Sequence, residues 1–367
     1  VSNQKNRKLS QRQFFFLIIQ TQIGVGILSL PYDLHIAAKQ DGWLSLIIGA
    51  FIIQFVLIVL WLLGKKYPEW DLFQMIEFLT GKWLGKVLSL SYAVYFTFVG
   101  ALVLVLFGRM ISGWILPNTP IWVITFLMTS VSLYLVCSGI KVVARFFTML
   151  SALLLFLLFL LVFSLNELKL MYLFPVATSS WKELAAGVNS GMLAFLGFIL
   201  ILVIAPKVKG AAVDTLKTIF IAHWFVAIFY LIIVLISFTF FSTEELPLVS
   251  SPILYMLKSF EFTVVSRVDL FFLSVWIVSV TTTFTIYIYM SGVGLMRVFH
   301  SQNKKVFLIV TAAAAFFISF WPIGSQKTID AFTSHIMTAS YGMAIFLPFI
   351  LYGLSLFRKK NAAGSER

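Results

Sequence analysis

Ten apolar runs dominate the chain, near residues 13 to 38, 43 to 63, 86 to 116, 120 to 138, 142 to 164, 184 to 206, 217 to 241, 268 to 296, 306 to 322 and 335 to 357. A bilayer-spanning helix needs about 20 predominantly apolar residues. The pattern therefore predicts ten transmembrane helices and a single polytopic membrane domain over residues 1–367. Two segments between the runs predict further order. Residues 71 to 80 follow Pro68 and read as a short interfacial helix. The loop from Ser242 to Ser266 carries Pro247 and Pro252 and an amphipathic stretch from Ile253 to Phe260, which reads either as a cap over an outer cavity or as a surface loop with one helical turn.

Composition agrees with the pattern. Of the 367 residues 60% are hydrophobic and only 11% charged, far from the quarter or so charged in soluble domains. One cysteine, Cys137, excludes a disulfide framework within the chain and a thiolate metal cluster. The net charge of +13 is spread over short loops and forms no basic run suited to nucleic acid. Its distribution sets topology instead. With the first segment inside, 20 of the 27 basic residues face the cytoplasm. They include Lys5, Arg7, Lys65, Lys66, Lys207, Lys304, Lys359, Lys360 and Arg367. Lys39, Lys169, Lys182, Lys258, Arg267 and Lys327 fall outside, and Arg109 alone lies within a span. This bias predicts that both termini are cytoplasmic. The first run continues past Gly24 and Gly26 to Lys39 without a small-residue cleavage pattern, so it reads as an uncleaved helix.

The centre of each span, placed from its flanking charges, carries the functional signal. Span one, between Arg12 and Lys39, centres on Gly24-Val25-Gly26; span six, between Glu183 and Lys207, centres within Gly191 to Gly197. Five spans separate the two, so the second half enters the bilayer from the opposite side, as in inverted repeats that each open with a broken helix. The repeats run about 13–164 and 184–357. Val99 and Gly100 mark the centre of span three, and Thr281 to Thr285 that of span eight. Each cluster also has a packing explanation: glycines let membrane helices approach, and threonines bond back to the preceding turn. Helix geometry sends the threonines to different faces, and Thr282 and Thr283 are the pair favoured here for the cavity.

Gly24-Val25-Gly26-Ile27-Leu28-Ser29-Leu30-Pro31, Asp41-Gly42-Trp43, Phe195-Leu196-Gly197, Val275-Trp276-Ile277, Phe320-Trp321-Pro322 and Leu347-Pro348-Phe349-Ile350-Leu351, in that order and spread over nearly the whole chain, resemble the B subunit of bacterial spore germinant receptors. That family belongs to the amino acid, polyamine and organocation transporter superfamily. The resemblance implies an all-α, LeuT-like five-plus-five inverted repeat with helices one and six broken, set in the inner membrane of an endospore. It implies a small nutrient, usually an amino acid, as germinant, with a membrane-embedded A subunit and a lipoprotein C subunit as partners. It does not specify the nutrient.

The residues suggest an amino-acid site on their own. If helix one unwinds at Gly24 to Gly26, the N–H groups of Gly26, Ile27 and Leu28 and the positive end of the helix dipole receive a carboxylate without any arginine. Carbonyls at the ends of the two half-helices would accept from an ammonium group, with Thr21 as a helper. Val25, Val99, Gly100, Phe195 and Leu196 would complete the walls beside Thr282 and Thr283, with Phe284 as a further candidate. No acidic side chain lies at that level, since Asp33 is seven residues beyond Gly26, about 10 Å along a helix. A zwitterion with an apolar side chain fits better than a polyamine. Arg109 pairs with Asp33 or Asp269 as an outer gate, or else snorkels to the interface. His223 and His335 read as structural hydrogen-bonding groups. No metal-ligand cluster, phosphate loop or nucleophile–base pair is apparent, so neither a metal, a cofactor nor an enzymatic activity is expected. Two functions remain at this stage: a germinant-sensing subunit, and a proton- or sodium-coupled amino acid transporter.

Overall fold

The structure is a computed structural model that describes residues 8–260 and 267–358. Five of the basic residues used for topology, Lys5, Arg7, Lys359, Lys360 and Arg367, lie outside the described residues, as does the end of the outer loop, 261–266. The described residues form helices without a β-sheet; one parallel bridge joins Leu9 to Val208.

The first apolar run gives two helices, α1 (Gln11–Gln22) and α2 (Gly26–Ala38). A capping box of Ser10 and Gln13 opens α1, and the extended conformation of Ile23 ends it. A short 3-10 turn, Lys39–Asp41, reverses the chain into α3 (Gly42–Lys66). Asp71 and Gln74 form the capping box of α4 (Leu72–Thr80), the short helix expected from the sequence. Its face of Phe73, Met75 and Ile76 is buried in the protein, and Asp71 also holds Arg297 at 3.0 Å.

The rest of the first half is α5 (Lys82–Trp114), α6 (Ile121–Cys137), α7 (Ile140–Leu150) and α8 (Ala152–Leu160). The fifth run is therefore interrupted at Ser151, whose hydroxyl bonds back to Phe147 O at 2.7 Å, a bond of the kind that bends helices.

The second half opens with α9 (Trp181–Phe195), capped by Ser180 and Glu183. After it come α10 (Leu200–Ile204), α11 (Ala212–Phe240), α12 (Pro252–Lys258) and α13 (Val268–Val298). The amphipathic stretch of the outer loop is thus helical, and Ile253, Leu254, Met256 and Leu257 of α12 are buried. Last are α14 (Lys304–Ile318), α15 (Gln326–Ser340), a π-helical turn at Tyr341–Phe346, and α16 (Leu347–Phe357).

Among the described residues, seven helical runs are long and apolar enough to cross a membrane by length and composition, and α6 is a shorter apolar helix. The run Gly26–Lys66 contains the reversal at Lys39–Asp41. Large apolar side chains such as Phe51, Phe55, Leu127 and Phe159 are exposed on the helices, as suits a lipid-facing surface. The chain is an integral membrane protein. Its core lies where α1, α2, α9 and α10 meet α5 and α13, with Phe195, Trp276, Tyr287 and Phe284 all buried.

Candidate functional site

Helix one breaks at Ile23–Gly24–Val25, between α1 and α2. Across the gap, Ile27 N reaches Gly24 O only at 3.5 Å, and the N–H groups of Gly26 and Leu28 have no acceptor among the described residues. Helix six breaks after Phe195. Leu196 is extended, Gly197 has φ +109°, and 3-10 bonds such as Leu200 N to Gly197 O, 3.1 Å, lead into α10. A side chain at Gly197 is excluded twice, by the left-handed φ and by Thr21, whose Cγ2 would lie 2.8 Å from an added Cβ.

Fixed groups hold the unwound segment. Tyr230 donates to Gln22 O at 2.8 Å and the Trp276 indole N–H to Gly24 O at 3.2 Å. The Thr282 hydroxyl lies 3.1 Å from Gln20 O, 3.0 Å from Gln20 Oε1 and 2.6 Å from Ser279 O. That of Thr283 lies 3.2 Å from Gln20 O and 3.3 Å from Thr21 O. Gln22 O and Gly24 O are therefore already accepting from within the protein, and the two threonine protons are shared among Gln20 O, Thr21 O and Ser279 O. Thr21 turns its own hydroxyl to Leu17 O, 2.6 Å away. Gln22, at the end of α1, donates from Nε2 to Phe195 O at 3.0 Å and so joins the two breaks directly.

A cavity of 20 Å³ lies between the breaks, lined by Thr21, Gln22, Gly24, Val25, Gly26, Val99, Leu102, Val103, Leu193, Leu196, Thr283 and Tyr287. No charged side chain lines it. Of the residues singled out from the sequence, Thr21, Gly24, Val25, Gly26, Val99, Leu196 and Thr283 meet here. Ile27, Gly100, Phe195 and Thr282 do not line it: Gly100 packs against the Phe284 ring, and Phe195 lies against His223 and Tyr230. Of the lining residues that sequence reasoning missed, three follow helical spacing from those it found: Tyr287 is four positions beyond Thr283, and Leu102 and Val103 three and four beyond Val99, each on the same face as its partner. Gln22, which adjoins Thr21, and Leu193, at the end of α9 before the extended Leu196, do not. Two buried polar atoms at this cavity have no partner among the described residues, Gln22 Oε1 and Tyr287 OH.

Of the two readings of Arg109, the ion pair to Asp33 or Asp269 is not formed among the described residues. Asp269 pairs with Arg267, two residues before it, at 2.6 Å, because the short sequence separation lets the guanidinium fold back onto the carboxylate. Arg109 is exposed. It borders a larger cavity of 240 Å³ with Val105, Ile121, Ser325, Gln326 and Ile329, which shares no residue with either break. His223 Nε2 lies 2.8 Å from Ala50 O and His335 Nδ1 lies 2.6 Å from Ala331 O.

Polar ties close the protein on both sides of the breaks. In the turn between α2 and α3, the buried Asp41 carboxylate accepts the N–H groups of Ala177 and Thr178 at 2.7 Å and of Ser179 at 2.8 Å. Burial pushes this carboxyl up, but the N–H groups of Ser179, Ala177 and Thr178 outweigh it and hold Asp41 below the usual carboxylate range. At the other end, Leu9 N donates to Lys207 O at 2.7 Å and Lys209 N to Leu9 O at 2.8 Å. Lys207 Nζ donates to Tyr289 OH at 2.6 Å, and Lys304 Nζ sits 4.1 Å above the Tyr289 ring.

A family model described as spore germination protein matches residues 8–328. Spore germination protein A2 of Bacillus subtilis (strain 168) is 26% identical over 364 residues, covering 96% of this chain and 97% of that protein. Among solved structures, MhsT in complex with L-phenylalanine superposes with a TM-score of 0.73 at 14% identity, over 95% of this chain and 89% of the other. An outward-open Na+-coupled sialic acid symporter gives 0.65 at 13% identity, over 92% and 79%. At such identities the structural likeness concerns the fold, which is LeuT-like.

Proposed function

The chain belongs to the spore germination protein family, and from that premise we propose that it is the nutrient-sensing membrane subunit of a spore germinant receptor. Its ligand is a small amino acid held as a zwitterion between the two helix breaks. The chain crosses the spore inner membrane ten times as two inverted repeats, about 13–164 and 184–357, with both termini cytoplasmic. It acts with a membrane-embedded A subunit and a lipoprotein C subunit.

The make-up of the central cavity carries this reading. It is uncharged, it is lined by Gly26 at the start of α2, whose N–H has no acceptor among the described residues, and its walls at Val99, Leu102, Val103, Leu193 and Leu196 are apolar. A carboxylate suits a helix N-terminus with free N–H groups, and the walls suit an apolar side chain. MhsT, solved with L-phenylalanine, has the same fold. The 20 Å³ of the cavity admits about one water, so an amino acid enters only as the walls part. Binding thus selects an opened state, and apparent affinity falls with the fraction of molecules in it. That difference between states is what a sensor passes to its partners.

A transporter is the second reading, favoured by the oxygen cluster of Thr282, Thr283, Ser279 O, Gln20 O and Thr21 O. Such oxygens suit a hard cation, although here each hydroxyl proton already serves a carbonyl. The test is thermal stabilisation of the purified protein across apolar amino acids, nucleosides and sugars, followed by uptake into proteoliposomes. The sensor reading expects stabilisation by at least one apolar amino acid and little accumulation under a proton or sodium gradient. Robust gradient-driven accumulation by the isolated chain would replace it with the transporter.

A further inference from the structure

Several carbonyls around the breaks already have a donor. Gln22 O accepts from Tyr230, Gly24 O from Trp276 and Phe195 O from Gln22, while the single hydroxyl protons of Thr282 and Thr283 are shared among Gln20 O, Thr21 O and Ser279 O. Among the buried side-chain atoms at the cavity, Gln22 Oε1 is an acceptor without a donor among the described residues.

The orientation of this amide is fixed by chemistry. A backbone carbonyl can only accept, so the atom facing Phe195 O at 3.0 Å must be the NH₂ group, and the other must be the carbonyl oxygen. Gln22 is only 4% exposed, and its backbone is held through Tyr230. It cannot swing to water to satisfy Oε1. Native interiors rarely leave such an atom alone, and where they do, a bound group commonly completes it.

We propose that Gln22 is the specificity-determining residue for the ligand's amino group: Oε1 accepts a proton from the α-ammonium while Nε2 keeps its bond to Phe195 O. The inference rests on the reading of this cavity as an amino-acid site. An ammonium bonded to Gln22 would be joined through the same side chain to the end of α9, so recognition of the amine and connection of the two broken helices become one event. A site built to pair a donor rejects the analogue that lacks it, because its own acceptor is then left buried and unpaired.

The test compares equilibrium binding of matched pairs by the purified full chain in lipid nanodiscs: L-valine with isovalerate, L-leucine with 4-methylpentanoate, and L-phenylalanine with 3-phenylpropionate. For the pair whose amino acid binds, the wild type should prefer the amine by about 10- to 100-fold, the range of a charge-assisted hydrogen bond. Gln22→Met removes the acceptor at similar length. It should weaken the amino acid by that factor, leave the deaminated analogue almost unchanged and so collapse the ratio. Gln22→Leu removes the acceptor in a second shape and should collapse the ratio in the same way, which keeps the test open should Gln22→Met fail to fold. A wild-type ratio in either folded variant would overturn the role of Gln22 while leaving the amino-acid site in place. If the wild type binds no amino acid, the proposed function fails first and this inference with it.

Discussion

Gly24 and Thr283 meet across the break of helix one, and their substitution makes a closed energetic cycle. An added Cβ at Gly24 would lie 2.5 Å from Thr283 Oγ1 and 3.2 Å from Thr283 Cβ. The first separation is too short for any packed pair, so Gly24→Ala must displace the Thr283 side chain from Gln20 O and Thr21 O. Overpacking of this kind costs about 1–3 kcal/mol. Thr283→Ala alone forfeits the hydroxyl and the one hydrogen bond it gives to the carbonyls of Gln20, Thr21 or Ser279, a loss of about 1–3 kcal/mol. Most of the clash disappears when both changes are made, because Oγ1 is the atom in the way. The double variant should therefore cost less than the sum of the two by about 1 kcal/mol or more, as expected for residues in direct contact. Unfolding free energies of the four proteins, from denaturant titration in one detergent, give the coupling directly. Additivity within about 0.5 kcal/mol would mean that the two residues do not touch, and the packing of α1 on α13 described above would be wrong.

Gly197→Ala should lower the unfolding free energy by about 2 kcal/mol or more in the same titration, since it adds left-handed strain to the contact with Thr21; a change below about 0.5 kcal/mol would contradict the break geometry. Asp41 supplies a pH dependence. Its pKa is depressed in the folded state, so its contribution is fully present above the unfolded value of about 3.9 and is lost as pH falls through the folded value. Acid titration of stability below about pH 4 should be shallower in Asp41→Asn than in the wild type, and equal slopes would refute this. Lys207→Met removes the bond to Tyr289 and should raise the labelling rate of a cysteine placed at Thr21 by a water-soluble maleimide, with no increase counting against the tie.

The sequence exposed the positions of the breaks more readily than the lining of the site. Glycines at the span centres located the interruption at Gly24 because unwound backbone in a membrane needs small residues and tight approach, and Gly197 shows both. Side chains around the breaks were harder to assign, since a span centre gives depth but not direction. Choosing Gly100 beside Val99, Thr282 beside Thr283 and Phe195 beside Leu196 took neighbours that differ by about 100° around a helix, whereas Val103 and Tyr287 lay on the right face at a spacing of four. Gln22 gave no signal in its own right, because a glutamine near a glycine break becomes an acceptor only after Phe195 is known to take its amide. The interruption at Ser151 was equally silent, carrying neither proline nor glycine. At the last run, Pro348 lies just beyond the π-helical turn at Tyr341–Phe346, yet the helix begins at Gln326, in a segment too polar to read as membrane-spanning.

The central claim is that an amino acid sits against the start of α2, and Gly26 is where it is most exposed to test. An added Cβ there would lie 3.1 Å from the backbone Cα of Ala194, so Gly26→Val pushes α2 and α9 apart at the mouth of the N–H cradle. Equilibrium binding of radiolabelled apolar amino acids to the wild type and to Gly26→Val, both first shown to insert and to elute as single species, decides the matter. The account expects saturable binding of at least one amino acid by the wild type and its loss in Gly26→Val. Undiminished binding by the folded variant, or none by the wild type, would contradict it.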